Sequence, residues 1–418
     1  MLRGRYSKNL EPTQTTNDDG GVYFYATQCG THTMTINIVR SSEPRCVTRI
    51  RRTKINSRTH GVVAVMLLMP FLPILLPGAE TLPTKNLVTA TFGGGKQPQV
   101  AVTPSGTIVI VFVRGSSIYS VMSTDEGRSF SEPSKIADQN GLISGMGRGP
   151  RVAATDKRIM VSAPGKDLFS YLSEDGGKSW SPPVMINDQT STVSEGLHNV
   201  TALPDGSFYA TWLDREAGKG VRVDGARLDP GAKSWNKSVT VYASPERTVC
   251  ECCHPSVAAD ETGRLVIMWR NSLEGNRDMY VAESKDRGNT FATAVKLGTG
   301  SWALKACPMD GGAVTSTPEG TFAVWRRRTE INLSAPGQLE VKLGEGTKPV
   351  LARTNGAIQA VWQESGNLVV KSDRQKDEGL RVPGGYASLT ASPDRKQAYL
   401  VWEAKEGEVD TLKFAVLH

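Results

Sequence analysis

The sequence predicts an all-β protein, a β-propeller of four-stranded blades closed into a ring. Three features carry that expectation. A strand–turn–strand unit recurs along the chain, helical periodicity is absent after residue 80, and a second hairpin motif recurs in register with the first. The copies of the unit read PQVAVTPSGTIVIVF at 98–112, PRVAATDKRIMVSA at 150–163, NVTALPDGSFYATW at 199–212 and PSVAADETGRLVIMW at 255–269. They continue as GGAVTSTPEGTFAVW at 311–325, PVLARTNGAIQAVW at 349–362 and ASLTASPDRKQAYLVW at 387–402.

Each copy is rich in Val, Ile, Ala and aromatic residues, as a buried strand requires. The Pro, Asp and Gly between its two halves supply a tight turn. One small sheet cannot bury both of its faces, whereas a ring of such sheets can, leaving only short edges. The count is seven, with six as the alternative. Residues 86–92, NLVTATF, precede the first copy and are positioned to supply the outer strand of the last blade, so that an N-terminal strand closes the ring.

Residues 1–60 read as an N-terminal extension, either disordered or the product of a start placed too early. Residues 61–79 carry an apolar run, GVVAVMLLMPFLPILL, after basic residues and before Pro77-Gly78-Ala79. That order is the pattern of an export signal, and an uncleaved membrane anchor is its alternative. The run is shorter than the roughly 20 residues of a bilayer span. The propeller is expected over 85–418. The protein is accordingly expected to be secreted or periplasmic, touching a membrane only through an uncleaved N-terminal segment.

The chain has 49 Lys and Arg against 42 Asp and Glu, a net charge of +7. Most of that excess lies before residue 80, so the propeller region is nearly balanced. A nucleic-acid partner, which needs a basic body, is not expected.

The second motif follows several of the repeat units. It reads S-T-D-E-G-R-S-F at 123–130, S-E-D-G-G-K-S-W at 173–180 and S-K-D-R-G-N-T-F at 284–291, with a degraded copy at 229–235. The carboxylates of Asp125, Asp175 and Asp286 can accept backbone N–H groups across the turn. Gly127, Gly177 and Gly288 supply a positive φ. The terminal aromatic packs beneath the hairpin.

This pattern resembles the Asp boxes of the sialidase (BNR-repeat) superfamily, and the resemblance covers 85–418. It implies that the Asp boxes are structural and lie away from the binding face. It also implies a catalytic set of three arginines on a substrate carboxylate, a Tyr–Glu nucleophile and an Asp acid/base. Tyr386, in G-Y-A-S-L, is similar to the nucleophile, and Arg270 to the second arginine. The chain departs from the family elsewhere. Lys96-Gln97-Pro98 stands where the first arginine is expected, Val113-Arg114-Gly115 where the Asp is expected, and His254 where the Glu should assist Tyr386. Seven repeats also depart from the six blades of true sialidases.

Propeller ligands sit at one mouth of the central channel. Arg148, Arg151, His198, Arg215, Arg270, Arg277, Arg326 and Tyr386 are expected on loops around that mouth. Converging arginines suit a carboxylate, sulfate or phosphate. The expected ligand is therefore an anionic glycan or another small anion, bound without turnover. A glycoside hydrolase of exo-sialidase type with an altered catalytic set is the alternative.

Cys250, Cys252, Cys253 and His254 form a tight cluster, with Cys307 one repeat later. Two disulfides are one expectation, natural in an oxidising compartment. A copper or zinc site at these residues, drawing also on His198 and Met309, is the other.

Overall fold

The computed structural model describes residues 87–216 and 220–418. The N-terminal extension and the 61–79 segment lie outside the described residues. Seven antiparallel four-stranded sheets make up the described chain, with no helix among the described residues. Blades 1 to 6 each use four consecutive strands, over 96–138, 151–185, 193–243, 256–296, 312–345 and 347–383. Blade 7 takes three strands from 385–417 and its outer strand, Val88–Gly93, from the start of the propeller.

Val88–Gly93 pairs antiparallel with the last strand of the chain, Phe92 opposite Leu412 and Gly93 opposite Thr411. The repeat count of seven and the closing strand expected from the sequence are both present. The innermost strands of successive blades pack on one another all the way round, and the seventh packs on the first. The inner edge of each sheet is therefore flanked by its neighbours and protected.

The second strand of each blade is its most buried element. The aromatic that ends the sequence repeat anchors six blades as Phe112, Trp212, Trp269, Trp325, Trp362 and Trp402, all 2% exposed or less. In blade 2 the small Ala163 takes that place.

The Asp boxes form as the residue types require. Asp125 Oδ1 accepts the Ser129 amide at 2.9 Å, and Oδ2 accepts the Ser129 hydroxyl at 2.6 Å. Asp175 and Asp286 repeat this with Ser179 and Thr290. Each box also packs on a neighbouring blade. A Cβ on Gly127 would strike Phe414, one on Gly177 would strike Met122, and one on Gly288 would strike Tyr209. In the degraded copy the Asp229 carboxylate turns instead to Arg227 and Asn236.

The Ser129 hydroxyl, then its amide and the Ser123 hydroxyl, hold the Asp125 carboxyl down to about 2. Asp175 is held low in the same way, Ser179 contributing most. At Asp286 burial pushes upward, but the Thr290 and Ser284 hydrogen bonds outweigh it and bring the group to about 2. These values are depressed in the folded state, so the stability they contribute is present above about pH 4 and lost as pH falls towards about 2. The expected result is a melting temperature that drops across that interval. Asp286→Ala should melt lower at neutral pH and show a shallower acid drop, which a thermal scan against pH checks.

Candidate functional site

A cavity of about 260 Å³ opens at the mouth where the inner strands begin. Blades 1, 4, 5, 6 and 7 each send residues from the start of the inner strand, or from just before it, to its wall: Gln97, His254, Asp310 with Gly311, Lys348 and Tyr386. Arg151 and Met146 join the lining from blade 2 and the loop before it, and Asn199 joins it from blade 3. In blades 1, 6 and 7 the inner strand carries a bulge at this point. Bulges at strand ends re-aim side chains.

Backbone strain gathers at the same place. Gln97, Met146, Met309, Lys348 and Tyr386 all have φ between 48° and 54°, a left-handed conformation that costs a non-glycine residue of order 1 kcal/mol or more. The opposite mouth is wider, about 890 Å³, and is lined by the Pro-, Asp- and Gly-rich hairpin turns of the inner strands.

Lys348 and Tyr386 form the centre of the first mouth. The Lys348 ammonium stands 4.0 Å from the centroid of the Tyr386 ring. It makes no ion pair with a carboxylate among the described residues. Both side chains are half-buried. The Lys348 amide donates to Asp310 Oδ2 at 3.0 Å. Asp310 is 2% exposed, and its Oδ1 has no partner among the described residues. Burial raises the Asp310 carboxyl, against the pull of the Lys348 amide, Arg270 and Arg326. Across the cavity, Glu403 Oε1 accepts both the amide and the side-chain nitrogen of Gln97, at 2.7 and 2.9 Å. Burial raises Glu403 as well.

The two histidines stay neutral. His198 is enclosed, with Nε2 at 2.8 Å from Ser162 Oγ and Nδ1 at 3.0 Å from the Gly196 carbonyl. Burial, reinforced by Arg151, brings it down to about 3. His254 is held well below the usual imidazole range, first by burial and then by Arg151. Its Nε2 has no partner among the described residues.

The arginines expected at the mouth divide into three groups. Arg151 lines the cavity, but its guanidinium donates to the carbonyls of Pro150 and Gly147. Arg148 and Arg215 pair with Glu195 and Glu251. Arg270, Arg277 and Arg326 lie together beneath the wall rather than in it. Arg270 is 1% exposed and gives its guanidinium to the carbonyls of Asp310, Arg277 and Arg326 at 2.7–3.2 Å. Arg270 and Arg326 both face the ring of Trp302 at 5.3 Å. Arg270 therefore sits in the structure as a brace between blades 4 and 5.

The sequence reading did not single out Lys348, Asp310 or the Gln97–Glu403 pair as site residues. A signal was present: Gln97, His254 and Lys348 each precede the proline that opens a repeat unit, and Tyr386 precedes the seventh unit.

The cysteine cluster lies behind the same wall. Cys252 and Cys307 form a disulfide, while Cys250 and Cys253 are free and buried. The three sulfurs of Cys250, Cys252 and Cys253 lie together, and neither His198 nor His254 joins them among the described residues. With Cys252 bonded to Cys307, two thiols remain. That donor set suits a two-coordinate soft ion such as copper(I) and falls short of the four ligands zinc takes.

The seven blades and three Asp boxes define the class, a β-propeller built on BNR-type repeats. Residues 165–315 match the family model described as a BNR repeat-like domain. That stretch, within the seven-bladed ring, is similar to the BNR repeats of sialidase-like propellers. No curated protein matches it in sequence.

Among solved structures it is similar to the BP39L lectin of Burkholderia pseudomallei, with 9% identity, a TM-score of 0.58, and 78% of this chain and 97% of that one covered. It is also similar to an ulvan lyase described as bound to a glucuronate–sulfated rhamnose fragment, with 9% identity, a TM-score of 0.51, and 79% and 95% covered. A leech intramolecular trans-sialidase matches at 14% identity and a TM-score of 0.49, over 78% and 68%. The likenesses to the lectin and the lyase show the fold.

Proposed function

We propose that this is an exported propeller that binds an anionic glycan at the mouth formed by Gln97, Arg151, His254, Lys348 and Tyr386. The observation that carries the reading is the Lys348 ammonium, stacked on Tyr386 in a concave site without a carboxylate partner among the described residues. A half-buried cation of this kind favours an anionic group, and the aromatic face beside it suits a sugar ring. Neutral His254 and the Gln97 side chain supply polar contacts for hydroxyl groups. A lectin and an ulvan lyase share the fold, and the latter is described as bound to an acidic, sulfated saccharide.

The test is calorimetric titration of the protein with 3′-sialyllactose, glucuronate oligomers and sulfated oligosaccharides. Binding of at least one, weakened about tenfold or more in Lys348→Ala with an unchanged melting temperature, is the expected result. Equal affinity for the neutral counterparts would sink the reading. The same ligands assayed for turnover address the hydrolase alternative: cleavage that disappears in Tyr386→Phe would make the protein an enzyme.

A further inference from the structure

We propose that the four cysteines form a thiol–disulfide relay, in which the buried Cys250–Cys253 pair exchanges with the outside through the Cys252–Cys307 disulfide.

The geometry is layered. Cys307 is exposed and Cys252 half-buried, so the existing disulfide is what an external thiol or disulfide meets. Cys250 and Cys253 are both 0% exposed and lie beneath it. Cys250 Sγ is 3.6 Å from Cys252 Sγ and 3.5 Å from Cys253 Sγ. Cys252 is therefore the sulfur that links surface to interior. Cys250 and Cys253 have the two-residue spacing of a redox dithiol.

The surroundings favour a thiolate. The Asp310 amide points at Cys253 Sγ, at 3.4 Å. Arg277 has a buried Nε without a hydrogen-bond partner among the described residues. Cys250 Sγ is nearer Cys252 Sγ than Cys253 Sγ is, 3.6 against 4.0 Å, so Cys250 is placed to attack and Cys253 to resolve the product.

The exchange balances within the chain. The Cys250 thiolate attacks Cys252 Sγ, the Cys250–Cys252 bond forms, and Cys307 leaves as a thiolate. The Cys253 thiolate then attacks Cys250 Sγ, closing Cys250–Cys253 and releasing Cys252. The two protons given up by Cys250 and Cys253 pass to Cys307 and Cys252. An external disulfide then restores Cys252–Cys307: the Cys307 thiolate attacks it and expels one thiolate, and Cys252 resolves the mixed disulfide and expels the second. One external disulfide is reduced to two thiols, and two protein thiols become a disulfide.

The test uses the full protein, reduced anaerobically while folded and exposed to oxidised glutathione. Samples are quenched by alkylation and mapped by mass spectrometry. In the wild type Cys252–Cys307 should close first and Cys250–Cys253 later, with a trapped Cys250–Cys252 linkage between them. Cys252→Ser should close the buried pair at least about tenfold more slowly. Cys307→Ser should still close it, through a Cys252–glutathione mixed disulfide. Closure in Cys252→Ser at the wild-type rate would overturn the relay. So would a wild-type protein in which Cys250–Cys253 never forms, an arm that depends on no variant.

Discussion

Replacing Arg270 with alanine is expected to destabilise the propeller by about 3–5 kcal/mol, read as a large fall in the urea midpoint at constant slope. The cost has a definite source. The guanidinium is 1% exposed and is the donor to the carbonyls of Asp310, Arg277 and Arg326. Truncation leaves these acceptors without that donor and opens a void beneath Trp302. Lysine should not rescue the loss, because one ammonium cannot reproduce a planar fork that reaches three carbonyls at once. A ligand-gripping arginine predicts the reverse: unchanged stability and lost binding. Arg270→Ala and Lys348→Ala should therefore separate cleanly, the first failing in denaturation and the second in titration.

Gly288→Ala is the second large effect, expected at about 2–4 kcal/mol. Two penalties add. The residue has φ of 91°, and a Cβ there would overlap the Tyr209 ring of the neighbouring blade. Tyr209 is fully buried and cannot withdraw without disturbing its own packing. Gly106 is the control, because its φ is 96° but its side-chain direction is open. Gly106→Ala should cost only about 1–2 kcal/mol, the backbone share alone. The difference between the two urea midpoints measures the contact of the Asp-box turn with the adjacent blade. Equal midpoints would mean that the box acts only within its own hairpin.

The cysteine cluster and the proposed glycan mouth share a wall. His254 follows Cys253, while Met309 and Asp310 follow Cys307, and all three line the cavity. The stretch with the most unusual composition in the propeller is thus also where two blades meet the cavity.

The architecture was legible in the order of the residues alone. Strand alternation, turn chemistry and the Asp-box spacing are local properties, set by residues a few positions apart, and their recurrence gives the number of blades. Even ring closure was readable, because 86–92 has the composition of a strand without a blade of its own and the last repeat lacks a fourth strand. Tertiary structure decided what the polar residues do. Arg270 and Lys348 look alike in the sequence, each a cation near the end or start of a strand. One is sealed among carbonyls from blades 4 and 5, and the other is left facing a cavity. Four cysteines allow three complete pairings, and only the approach of the 307 loop to the 250–253 turn distinguishes a surface disulfide from a buried dithiol. The physical reason is the same throughout: a strand or a turn is specified by its neighbours in the chain, whereas the charge, solvation and partners of a side chain are specified by neighbours in space.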